Sequence, residues 1–218
     1  MDHLESLVCD AEDRWIEAWV SGPTKPASNV LGLGAAAPDA TLLDHTGRER
    51  TLSEFWNAGP CLVMFWRHFG CGCGVERASL LAAEAAAFAE AGLTIVIVGQ
   101  GEPERASAYR TLRNIEYPIL CDPTGAVYDA YGIGHWQPEQ VLFDAPESMW
   151  AHDRETGRGF QESRRKDGRP AVDDPWRATA EFVIATGGTI RLGYSYQYCE
   201  DFPDPRVITT AARLLRSI

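Results

Sequence analysis

The stretch WRHFGCGCGV, residues 66–75, sets Cys71 and Cys73 two positions apart, with Arg67 and His68 four and three residues ahead of the first. A thiolate is both a strong nucleophile and a soft metal ligand, so such a pair can attack a peroxide or disulfide, or it can clip a metal. An apolar run, CLVMFW at 61–66, precedes the pair, and Ala78, Leu81, Ala82, Ala85 and Phe88 follow it at helical spacing. The pair is therefore predicted where a buried strand ends and a helix begins. The unpaired N–H groups of a first helical turn, joined by positive charge on Arg67 and His68, would pull a thiol pKa below its free value of about 8.5. Gly70 and Gly72 are expected to let the backbone turn tightly and to leave the sulfur approachable. On this reading Cys71 is the nucleophile and Cys73 its partner.

The spacing restricts that partnership. Residues two apart on a helix point to nearly opposite sides, so Cys71 can bridge to Cys73 only if it lies outside the first turn. The resulting bond would be easily reduced, an oxidising or isomerising centre rather than a staple. Two other readings stand beside it. His68, Cys71 and Cys73 could together hold Zn or Cu(I), although no fourth ligand is visible nearby. A module without redox activity could instead use its tryptophan-bearing first helix to bind a partner. Cys9 and Cys61 are expected to be small core hydrophobes, and Cys121 follows a strand in the same way. Cys199 ends an aromatic strand and is a candidate distant resolving cysteine.

The elements that must position these groups follow from periodicity. Leu4, Leu7, Val8, Ala11, Trp15, Ala18 and Trp19 form one stripe of a first helix, and the proline-bearing segment 21–29 reads as a linker. Short strands are expected near 40–43 and just after the turn at His45, followed by a helix capped by Ser53. Further buried strands at 93–98 and 117–120 alternate with helices, one of them opened by Pro103, which predicts an α/β sheet with helices on its faces. The alternation lapses between about 136 and 177. HDRETGRGFQESRRKDGRP there is polar and too long for an ordinary connection, so it reads as an inserted, partly ordered loop. The sheet resumes at 181–185 and 189–198, where Tyr194, Tyr196 and Tyr198 share one strand face. A closing helix near 205–216 is expected to turn Val207, Ile208, Ala211, Leu214 and Leu215 inward. The organisation is thus an N-terminal helix and linker at 1–30 and one domain at 31–218 carrying the insertion.

With 218 residues and 45% hydrophobic content the chain can bury a sizeable core. Its net charge of −11 argues against unspecific binding to nucleic acid or anionic membrane surfaces. No run approaches the roughly 20 apolar residues of a membrane span. The acidic start MDHLESLVCDAEDRW lacks a secretion signal's pattern, so a cytoplasmic setting is expected, in which six scattered cysteines stay reduced. No cofactor is called for, and a homodimer is left open.

APDATLLDHTGRERTLSEF, the strand CLVMFW with RHFGC, CDPTGAVYDAYGI and EFVIATGGTIRLGY, in that order, resemble the peroxiredoxin-like branch of the alkyl hydroperoxide reductase/thiol-specific antioxidant superfamily. The resemblance covers about 35–135 and 178–215. It implies a thioredoxin-like fold of peroxiredoxin type, with a mixed central sheet flanked by helices. It also implies thiol oxidoreductase activity, with Cys71 as nucleophile and a thioredoxin or low-molecular-weight thiol as reductant. The chain departs from the family at the site. Typical members have Pro seven and Thr three residues before the reactive cysteine, where this chain has Met64 and His68. The family's arginine on the facing strand maps near Thr179, with Arg177 two residues away. RHFGC resembles a subfamily that usually carries Cys-x-x-Cys, but Gly74 fills the second cysteine's slot and Cys73 comes one residue early.

Overall fold

The computed structural model describes residues 1–142 and 145–214. Seven strands form one mixed sheet in the order β2-β1-β5-β4-β3-β6-β7: β1 (Thr41–Asp44), β2 (Glu49–Thr51), β3 (Cys61–Phe65), β4 (Thr94–Gly99), β5 (Ile119–Cys121), β6 (Ala180–Ile184) and β7 (Ile190–Ser195). β3, β4 and β5 run parallel, and every other pairing is antiparallel. This is the mixed sheet with flanking helices that the sequence predicts.

β3 lies between β4 and β6 and is buried along its whole length, which is why its sequence is continuously apolar. The twofold period of the strand divides its side chains. Leu62 and Met64 join Ile95 and Ile97 in one core, while Cys61, Val63 and Phe65 join Val96 and Val98 in the other. The first core lies under α1 (His3–Ser21), α2 (Gly72–Glu90), α3 (Pro103–Leu112) and α7 (Pro205–Arg213), which contribute Ala11, Leu81, Ala106 and Ile208. The second is closed by α4 (Ala126–Ala130) through Val127 and Tyr128. α5 (Pro138–Val141) and α6 (Arg154–Lys166) complete the helices.

Several local expectations need correction. Thr51, not Ser53, opens the turn after β2: Thr51 and Glu54 exchange hydrogen bonds in a capping box that starts a short 3-10 turn. The segment after α1 is not loose, because Asn29 donates its N–H to Gly132 at 2.9 Å and the Pro26 carbonyl accepts from His135 at 2.9 Å. Cys9 is exposed rather than in the core. Tyr196 and Tyr198 both lie beyond β7, and Tyr198 is half exposed, so only the Tyr194 and Tyr196 rings, 5.9 Å apart, pack together. In α7, Ile208 and Ala212 point inward, but Val207 and Leu214 do not, and Leu215 lies outside the described residues.

The largest correction is the insertion. Where a partly ordered loop is expected, α6 runs for 13 residues, capped by Asp153, whose side chain accepts the Thr156 N–H at 2.8 Å. It packs on α1. Trp19 stacks at 5.1 Å on Trp176, and Phe160 of α6 meets Trp15 and Trp19 at 5.9 and 5.4 Å. Arg165 also donates from Nε to the buried carboxylate of Glu12 at 2.7 Å. The tryptophan face that could have bound another protein is thus covered by this chain's own insertion.

Candidate active site

Cys71 is the N-cap of α2, with extended backbone (φ −74°, ψ 134°), and so lies just outside the first turn. That is the placement a Cys71–Cys73 partnership requires, and the two sulfurs approach to 2.6 Å. Cys199, carried in from the segment between β7 and α7, brings its sulfur within 4.8 Å of both. All three cysteines are free thiols. The cluster is nearly closed, with Cys71 5% and Cys73 6% exposed and Cys199 partly open.

Arg67 holds the centre. Its Nη1 donates to Cys71 Sγ at 3.4 Å and to Cys199 Sγ at 3.1 Å. Nε donates to the Arg177 carbonyl at 3.3 Å, Nη2 to the Pro175 carbonyl, and the guanidinium lies 5.1 Å from the ring of Trp136. Carbonyls, sulfurs and an aromatic face therefore surround a buried cation that makes no ion pair with a carboxylate among the described residues. Hydrogen bonds from Cys199 and Cys73, with the charge of Arg67, hold the Cys71 thiol well below its ordinary value against the cost of burial. The same contacts act oppositely on the neighbours: Cys73 is raised by its bonds to Cys199 and Cys71, and Cys199 is raised to about 11, chiefly by Cys71. Of the three sulfurs, Cys71 is the one whose ionised form is favoured.

The source of this activation differs from the sequence expectation. The Cys71 sulfur receives no hydrogen bond from the first turn of α2. His68 is 6% exposed, and burial together with Arg67 pushes it well below its usual value, so it is neutral and adds no positive charge. Gly70 and Gly72 also act differently. A side chain at Gly70 would collide with the Pro170 carbonyl, and one at Gly72 with the Arg169 guanidinium, so both glycines admit a covering segment rather than expose the sulfur. His68 stands outside the three-sulfur cluster, so the ligand set His68, Cys71 and Cys73 is replaced by Cys71, Cys73 and Cys199.

Arg177 and Thr179 are at β6 but face elsewhere. Arg177 donates to Asp129 at 2.7 Å and to the Ile133 carbonyl at 2.9 Å, pinning the end of α4. Thr179 donates its hydroxyl to the Phe65 carbonyl. Arg67 reaches the sulfurs from the strand–helix loop instead. Cys61 and Cys121 are buried core thiols, their pKa raised by desolvation, the latter to about 12.

Residues 33–156, more than half of the chain, match the AhpC/TSA family. Thioredoxin-like protein AAED1, chloroplastic, of Arabidopsis thaliana is 30% identical over 108 residues, covering 48% of this chain and 44% of that protein. Peroxiredoxin-like 2C of Bos taurus is 29% identical over 121 residues, covering 52% of this chain and 53% of its own. The chain thus spans about half the length of these relatives. In fold it is similar to peroxidoxin BcpB from Mycobacterium tuberculosis, with a TM-score of 0.59 at 19% identity over 86% of this chain and 98% of that one. The matched span contains Cys71 and Cys73 but ends before Cys199 and most of α6. A strand–helix junction that carries Cys71, in a sheet of this order, agrees with the sequence match: the chain belongs to the AhpC/TSA family.

Proposed function

We propose that the protein is a thiol-dependent oxidoreductase whose Cys-x-Cys centre reduces a peroxide or exchanges with a disulfide. The observation that carries this reading is the Cys71 sulfur itself, held by Arg67 at 3.4 Å with the Cys73 sulfur 2.6 Å away. In the peroxide reaction the Cys71 thiolate attacks one oxygen, the O–O bond breaks, and the alkoxide or hydroxide leaves with a proton as alcohol or water. Cys71 is then a sulfenic acid. The Cys73 thiol condenses with it, releasing water and closing a disulfide, which an external dithiol or two monothiols reduce. With a disulfide substrate, Cys71 displaces one sulfur as a thiolate, and Cys73 then releases the other. Cys199, the most accessible of the three, is the alternative resolving cysteine in this reading.

Met64 and His68 stand where typical members have Pro and the donor Thr, Thr179 stands near the place of their donor Arg, and Arg177 is turned away towards Asp129. Preorganised donors of this kind are worth about 3–4 kcal/mol each. We therefore expect slow peroxide reduction alongside measurable thiol–disulfide exchange. The reductant is proposed to be a thioredoxin-type dithiol or a low-molecular-weight thiol of a reducing cytoplasm. The test is mass spectrometry after one equivalent of peroxide: a Cys71–Cys73 or Cys71–Cys199 disulfide supports the reading, and oxidation that spares Cys71 sinks it.

Three sulfurs within 4.8 Å also favour a second reading, a site for Zn or Cu(I). Arg67 weighs against it, since a guanidinium already donates to two of the three sulfurs and would repel a metal cation. Metal analysis of protein purified without chelator decides between them.

A further inference from the structure

Arg164 of α6 has both Nε and Nη2 buried without a hydrogen-bond partner. Among the described residues no other side chain leaves two nitrogens in this condition. These two atoms form the side-on edge of the guanidinium, the fork that matches a carboxylate with two parallel hydrogen bonds. The same fork on Arg77 shows its ordinary use in this protein, donating to the two oxygens of Glu181 at 2.7 and 3.1 Å. Arg164 has the Phe160 ring 5.7 Å from its guanidinium carbon, which leaves the fork as its polar outlet.

Its surroundings locate that outlet. The Arg164 carbonyl accepts the Arg169 N–H at 2.8 Å, and burial lowers the Arg164 pKa while the charge of Cys71 opposes it. The chain following it, Arg169 and Pro170, covers Gly72 and Gly70 on either side of Cys71. A second polar group is unsatisfied in the same place: His68 Nδ1 is buried without a partner on a side chain only 6% exposed. The segment that follows the cationic fork thus lies over the loop that carries both the neutral imidazole and the nucleophile, and neither the fork nor Nδ1 has a protein partner among the described residues.

We propose that Arg164, assisted by His68, is a carboxylate-recognition site beside Cys71, so that the oxidised substrate carries a carboxylate close to its reacting bond. The inference rests on the thiol oxidoreductase reading and names its substrate class. The insertion then delivers a specificity residue to a site whose nucleophile comes from the strand–helix loop. Carboxylate-bearing disulfides and carboxylate-bearing hydroperoxides share this chemistry.

The experiment compares matched probes in single turnover on reduced full-length protein. The disulfide pair is 5,5′-dithiobis(2-nitrobenzoate) and the neutral 4,4′-dithiodipyridine; the hydroperoxide pair is a cumene hydroperoxide bearing a ring carboxylate and its methyl ester. Arg164→Gln should slow the carboxylated member of at least one pair about tenfold while leaving the neutral members within about twofold. The pair affected identifies the substrate source. Arg164→Lys, which keeps the charge but not the fork, should restore only part of the rate, and Arg158→Gln on the exposed face of α6 should change neither. Equal slowing of all probes, or an equal effect of Arg158→Gln, would overturn the proposal. Should Arg164→Gln fail to fold, the parent protein still decides: phenylacetate should protect Cys71 from iodoacetamide saturably and neutral phenylacetamide should not. No difference between the two overturns the site. A Cys71 inert even to 4,4′-dithiodipyridine would instead count against the thiol reading itself.

Discussion

Arg67, in the strand–helix loop, and Arg77, ten residues further on in α2, are both buried, and they are neutralised in different ways. Arg77 has two carboxylates: Glu181 takes Nε and Nη2, and Glu84 takes Nη1 at 2.8 Å. Arg67 has carbonyls and sulfurs only. A buried cation without a counter-charge is costly, so ionisation of a neighbouring thiol relieves it. One arginine ties α2 to β6, and the other adds its charge to the hydrogen bonds from Cys199 and Cys73 that lower the Cys71 thiol pKa. The difference lies in the partners, since the side chains are identical.

That contrast can be broken first at its strongest point. Arg67→Met should lower the rate of Cys71 with iodoacetamide at neutral pH by about 10²–10³, in line with the loss of one preorganised donor to a developing or resident anion. Arg77→Leu should leave that rate within about twofold yet cost about 3–5 kcal/mol in denaturant unfolding, because Glu181 is left buried and unmatched. Exchange of these two phenotypes would mean that the roles are assigned the wrong way round. Cys73→Ser sharpens the sulfur side: after peroxide it should accumulate a sulfenic acid on Cys71, trapped by dimedone, unless Cys199 closes the bond instead, which peptide mapping would reveal.

A smaller effect is expected in the pH dependence of stability. The folded-state pKa of Cys71 is depressed, so its contribution is complete above the unfolded value of about 8.5 and is lost as pH falls through the folded value. In reductant, the parent should therefore lose more stability than Cys71→Ser as pH drops below about 8, a range in which Cys73 and Cys199 stay protonated in both states. Arg67→Met should remove that extra loss, whereas Arg77→Leu should keep it. The smallest effect concerns the insertion. Protease should spare the helix Arg154–Lys166 and cut at the exposed turn around Asp167–Gly168, and cleavage within the helix would show that its packing on Trp15 and Trp19 is weak.

The two arginines also mark where sequence reading stops. The apolar run 61–66 followed by helical spacing fixes the strand–helix junction, because burial on both faces leaves no other pattern for a central strand. Arg67 is legible as a neighbour of Cys71 for the same reason: both belong to one short loop. Its isolation from carboxylates is not, since that depends on Pro175 and Arg177 turning only their carbonyls toward it. Cys199 arrives over a sequence separation of more than a hundred residues, so no local period announces it. α6 is the clearest failure. Its inward positions are Gly157, Phe160, Gln161 and Arg164, a face with one large apolar residue, and its partner surface is the tryptophan face of a helix at the other end of the chain. Amphipathicity could not reveal a helix held by someone else's aromatic rings.

Ionisation of Cys71 at neutral pH is expected because Cys199 and Cys73 hydrogen-bond to its sulfur and Arg67 beside it meets no carboxylate among the described residues. It is tested most directly by the rate of Cys71 alkylation as a function of pH, read peptide by peptide in the reduced native protein. The account predicts a midpoint for Cys71 clearly below the free value of about 8.5, with Cys73 and Cys199 above it, and a return of the Cys71 midpoint to or beyond the free value in Arg67→Met. A Cys71 that titrates at or above the free value in the parent, or one indifferent to the loss of Arg67, would contradict it.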